Sequence, residues 1–127
     1  MGTKVEQTGY SMVVKTDPLE NSLSKLYDTI EEVMTESVTA IGVGVPAVVD
    51  KDSGVVFDVQ NIPSWKMVPL KQLLEDRFNV PAFLNNDANC FALGEKHFGK
   101  ARNYANCVAL SLGTGLGMGT VSYTHLR

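Results

Sequence analysis

A chain of 127 residues fits one compact domain and is too short for two ordinary ones with separate cores. Apolar residues at 44% and charged residues at 20% exclude a disordered or membrane class, and a net charge of -3 with scattered signs offers no basic stripe for nucleic acid. With no bilayer-length apolar run and no secretory pattern at its start, the chain is expected to be cytoplasmic, with no membrane partner and no nucleic acid bound by this segment.

Residues 10–15 are rich in β-formers and predict a strand ending at Thr16. Asp17 as cap, Pro18 at the first helical position and Glu20 three residues after Asp17 then open a helix. Its stripe of Leu19, Leu23, Leu26, Ile30 and Val33 carries it to about Ser37. Residues 40–49 form a nearly continuous apolar run, expected of a central strand covered on both faces. Turn chemistry at 50–54 and a returning strand at 55–59 predict a hairpin, and the breakers in 61–68 predict a loop.

Leu70, Leu73, Leu74 and Phe78 mark a second helix, closed by Asn79 and barred from continuing by Pro81. A short strand at 82–84 follows, then a third helix marked by Ala88, Phe91, Ala92 and Phe98 and starting just after Asp87. A buried strand at 107–112 leads through a glycine-rich turn at 113–119 into residues 120–123. The order is α/β. Cys90 and Cys107 lack metal-ligand spacing and read as buried free thiols, while His97 and His125 read as structural or surface residues, so no metal site is expected.

Three stretches place polar or glycine residues at the end of an apolar strand, where ligands bind in open α/β sheets. Asp87, in Asn85-Asn86-Asp87-Ala88-Asn89, sits where a strand feeds a helix, and the positive helix end favours an ionised proton acceptor. By itself, an aspartate so placed is more often a helix N-cap than a catalyst. Gly113, Thr114, Gly115, Gly117 and Gly119 suit either a phosphate cradle or a tight hairpin. Gly42, Gly44, Pro46 and Ala47, with Asn61 and Trp65 downstream, suit a hydroxylated ligand, against a plainer reading of close packing and a core-edge tryptophan.

Ile41-Gly-Val-Gly-Val-Pro46, Asn61-Ile-Pro-Ser-Trp65, Val68-Pro-Leu70, Asn86-Asp87-Ala-Asn89, Ala92-Leu-Gly-Glu95 and Leu112-Gly-Thr-Gly-Leu-Gly117 together resemble the ROK family in order and spacing. The resemblance implies the actin-like and hexokinase-like (ribonuclease H-like) ATPase fold, here an N-terminal sugar-binding lobe over residues 1–121, truncated at both ends. It implies a glucokinase-like enzyme that phosphorylates a hexose or amino sugar, with ATP and Mg2+ as cofactors and a homodimer at full length. By motif, Asp87 resembles the catalytic base, Asn86 and Asn61 resemble sugar contacts, Ala47 stands in the sugar loop, and Gly113, Thr114 and Gly115 resemble a phosphate-contacting turn.

Ala47 and Ser64 stand where many members have glycine. The family's opening Asp-x-Gly-Gly-Thr strand is missing, although Gly2-Thr3-Lys4 is similar to its last residues, and the zinc motif and adenosine-binding half are also missing. Residues 122–127 depart from the pattern and are expected to be a non-native tail, and the 127 residues alone are expected not to turn over. The alternative within the resemblance is the sugar-sensing domain of a ROK repressor; a plain actin-like structural module is a third.

Overall fold

The computed structural model describes residues 4–113 and 115–122, so Gly2, Thr3, Thr114, His125 and nearly all of the expected tail lie outside the described residues. Among the described residues, three helices and seven strands follow in the order α1 (Leu19–Val33), β1 (Ile41–Val45), β2 (Val48–Asp50), β3 (Val55–Phe57), β4 (Met67–Val68), α2 (Leu70–Phe78), β5 (Ala82–Asn86), α3 (Asp87–Phe98), β6 (Cys107–Leu112) and β7 (Leu116–Val121). β1 pairs with β5 in parallel, from Ile41 with Ala82 to Val45 with Asn86. β2, β3 and β4 form an antiparallel sheet, and β6 and β7 an antiparallel hairpin.

The predicted strand at 10–15 does not form. β-propensity is realised only where a neighbouring strand supplies a ladder, and here the segment lies along α1 through Gln7 Nε2 donating to Glu32 O and Thr29 Oγ1 to Ser11 Oγ. Nor does Asp17 cap α1. Its Oδ2 accepts from Val14 N and from Lys25 Nζ at 2.7 Å, and Pro18 occupies the N-cap position with no side-chain cap. The helix stops at Val33 rather than near Ser37, because Thr35, Ser37, Val38 and Thr39 favour the turn they adopt, with Val38 N donating to Thr35 O.

The hairpin of β2 and β3 forms as expected, and the predicted loop after it also yields the short strand β4. Asn79 closes α2 in the left-handed conformation, with φ 57°. A core of Val45, Val56, Trp65, Val68, Leu70 and Leu74 gathers between these elements, and Leu19, Leu23, Leu26 and Ile30 of α1 pack against it. Trp65, read as a core-edge residue, is buried, and its Nε1 donates at 2.6 Å to Ser22 Oγ, itself 1% exposed. That bond docks α1 onto the loop before β4.

β1 is not covered on both faces. Its exposure alternates: Gly42 is open on one side, whereas a Cβ on Gly44 would sit 3.4 Å from Cys90 Sγ of α3. Beside it, both backbone groups of Ala82 are taken by α2, the N–H by Glu75 Oε2 and the carbonyl by Lys71 Nζ. Side chains thus satisfy the outer backbone groups of β5 at Ala82, where an edge would otherwise be bare.

Gly54, with φ 71°, donates to Asp50 O and accepts from Lys71 N, joining the β2–β3 turn to α2. A Cβ there would lie 2.0 Å from Lys71 Cβ. Gly54→Ala is expected to destabilise the fold by about 2 kcal/mol or more, read as a lowered urea midpoint at unchanged slope. The Lys25 ammonium holds Asp17 below its usual carboxyl range, and the Ala82 N–H, followed by Lys71, does the same for Glu75. A depressed folded-state value means the contribution is present at neutral pH and lost as the pH falls through that value. Urea midpoints are therefore expected to fall below pH about 4 and to fall less in Glu75→Gln.

Candidate active site

β5 ends in Asn85 and Asn86, and α3 begins at Asp87. The helix cap is Asn86, not Asp87. Asn86 has extended backbone and its Oδ1 accepts the Ala88 N–H at 3.0 Å, while its Nδ2 donates to Ala47 O at 3.2 Å, tying the β1–β2 bend to the start of α3. Asn85 Oδ1 accepts from Asn86 N and Asn89 Nδ2. Asp87, freed from capping by its neighbour, is exposed in the first turn. Its Oδ1 shares the Ala88 N–H at 2.8 Å, and its Oδ2 makes no hydrogen bond or ion pair among the described residues.

The β6–β7 hairpin packs on α3 through its small residues. Gly119 is required there, since a Cβ would lie 2.3 Å from Ala88 O, and one on Gly117 would sit 3.4 Å from Ala88 Cβ. Ala88 and Ala92 are the buried residues of α3, whereas Phe91 and Phe98, expected on the same apolar stripe, are exposed, because an approach this close admits only a methyl group. Gly113 and Gly115 differ. A Cβ on either would meet nothing within 4 Å, so packing does not demand glycine at the tip, where Gly113 N donates to Gly115 O. The hairpin reading is therefore correct, and Gly113 and Gly115 leave backbone of the kind that phosphates approach.

Two clefts share Asp87. One, of about 610 Å³, is lined by Pro46, Asp87, Ser111, Gly113, Gly115 and Gly117 among others. The second, of about 410 Å³, is lined by Ala47, Asp58, Gln60, Asn86, Asp87 and Gly117 among others. The structure thus brings together Asp87, Asn86, Ala47, Gly113 and Gly115. Asn61 is exposed in the turn beside Gln60 and lines neither cleft, and Thr114 lies outside the described residues. Sequence reading missed Asp58 and Gln60. Asp58 adopts φ 45°, a conformation that aspartate tolerates better than most residues, but no local pattern announces it.

The cysteines are free, as expected, but not buried: Cys90 is exposed and Cys107 half-buried. Desolvation by its neighbours, and then the Asp87 carboxylate one turn earlier, push the Cys90 thiol up, away from the reactive thiolate. Among the described residues no group of three His, Cys, Asp or Glu side chains is placed to hold a metal. No helix among them is long and apolar enough to cross a membrane.

A family model described as "ROK family" matches residues 3–127. The chain belongs to the ROK family. This ROK chain is 42% identical over 108 residues to a glucokinase of Thermotoga maritima, covering 84% of the chain and 34% of that protein. It is 37% identical over 108 residues to a xylose repressor of Caldicellulosiruptor bescii, covering 80% of the chain and 27% of that protein. The crystal structure of a ROK family glucokinase from Streptomyces griseus in complex with glucose and AMPPNP matches with a TM-score of 0.74 at 29% identity, over 91% of this chain and 36% of that one. The ROK chain therefore has the mixed α/β, actin-like architecture of hexokinase-like sugar kinases, and spans about a third or less of the length of these relatives.

The two kinds of glycine are separable. Gly119→Ala is expected to lower stability by about 2 kcal/mol and Gly113→Ala to change it by less than about 0.5 kcal/mol, compared by urea denaturation. Equal losses would contradict the assignment of Gly113 to an unpacked tip.

Proposed function

We propose that this segment forms the sugar- and phosphate-facing wall of an ATP-dependent hexose kinase, with Asp87 as general base. The observation that carries the reading is Asp87, whose Oδ2 has no partner among the described residues, on the wall common to a glycine-lined cleft and a polar one. A sugar hydroxyl is a poor nucleophile until its proton leaves, and an unpartnered carboxylate at the right place accepts it.

Each cleft has a role in this reading. The backbone at Gly113 and Gly115 faces the phosphate oxygens, the Gly113 N–H being shared between Gly115 O and the ligand, since a Cβ on either glycine would meet nothing within 4 Å. Asn86 has one amide hydrogen and one lone pair left over from its structural bonds, and presents them to the sugar beside Ala47, while Asn61 stays in the adjoining loop without lining the cleft. ATP, when bound, supplies the phosphoryl group, and Mg2+ neutralises its charge. The cation fits as a partner of nucleotide phosphates and waters rather than of a side-chain cage here. The Streptomyces griseus glucokinase in complex with glucose and AMPPNP supports a hexose and a nucleotide as ligands.

In the full-length protein, Asp87→Asn is expected to cut kcat about a thousandfold while leaving the KM for sugar within about twofold, measured in steady state against a hexose panel with ATP and Mg2+. Unchanged turnover would refute the role. The xylose repressor relative favours a second reading, a sugar sensor without transfer. The same panel separates the two, because a sensor binds a sugar without consuming ATP.

A further inference from the structure

The cleft of about 410 Å³ has a second polar wall, opposite in sequence origin to the Asn86–Asp87 wall and built by Asp58 and Gln60. Both side chains belong to a loop that hydrogen bonds hold from within: Asp58 N donates to Lys66 O, Val59 N to Trp65 O, and Trp65 N to Ile62 O. Val59 and Trp65 are buried in the core, so the loop is anchored beneath while Asp58 and Gln60 stay exposed above. At φ 45°, the backbone at Asp58 turns the chain out of β3. Neither side chain has a hydrogen-bond or ion-pair partner of its own among the described residues, and no lysine or arginine lines this cleft.

We propose that Asp58 and Gln60 are specificity-determining residues of the sugar site. They bind hydroxyls remote from the one that reacts, and Asp58 with Asp87 makes the cleft selective for uncharged or amino sugars over anionic ones. The inference rests on the kinase reading for its substrate class. Two carboxylates facing one cleft without a cation repel a sugar phosphate or sugar acid, so the same pair that admits a neutral hexose hastens loss of its phosphorylated product. Gln60 adds a donor and an acceptor, the complement of a hydroxyl.

The test uses the full-length protein carrying Asp58→Asn or Gln60→Ala. Asparagine tolerates the positive φ, which keeps a backbone effect out of the comparison. Each variant is expected to raise the KM for the preferred hexose on the order of tenfold, with kcat and the KM for ATP within about twofold. Asp58→Asn, unlike Gln60→Ala, is also expected to strengthen inhibition by the sugar phosphate product severalfold. Unchanged KM and product inhibition in active variants would overturn the proposal. If the parent binds a hexose by calorimetry without phosphorylating it, the kinase reading fails; the wall then stands if both variants lose affinity, and falls if they do not.

Discussion

The arrangement depends on the side chain of Asn86. Its carbonyl accepts the Ala88 N–H in the first turn of α3 and its amide reaches the Ala47 carbonyl at the β1–β2 bend, so one residue joins two strand ends and a helix start. An asparagine suits this because its amide carries a donor and an acceptor on separate atoms of a short stem, where aspartate would set an acceptor against the carbonyl. With the cap supplied by the preceding residue, the carboxylate of Asp87 keeps an oxygen for other use.

That division was not legible from residue types. An aspartate at a strand-to-helix junction reads as a cap, and choosing between adjacent Asn86 and Asp87 requires backbone angles that a one-residue shift reverses. Elements with their own local determinants were legible. α2 is bounded by Leu70 and the left-handed Asn79, and the β2–β3 hairpin carries Gly54 at the one position needing positive φ. What failed depended on neighbours remote in the chain. Residues 10–15 have strand composition without a strand to pair with among the described residues, and the apolar run of β1 predicts cover on both faces although one face is open at Gly42.

The site was legible in the same uneven way. Asp87, Asn86, Ala47 and the glycine tip fall together because β1 and β5 run parallel and end side by side, with the β6–β7 hairpin laid across the first turn of α3. Asp58 and Gln60 escaped notice because they reach the cleft through the shape of a loop, and neither composition nor spacing encodes that shape. Asn61, prominent in the sequence pattern, stands one residue further along on the outside of the same turn.

The parallel pairing of β1 with β5 also orders events in time. Ile41 meets Ala82 only after the whole intervening stretch, β2 to α2, has closed on itself, and such closure costs chain entropy before any ladder bond returns it. The β2–β3 hairpin, held by Gly54, and the β6–β7 hairpin bring together residues near in sequence and face no such delay. The junction that orients Asp87 is therefore expected to mature late, after the pieces on either side of it have taken shape.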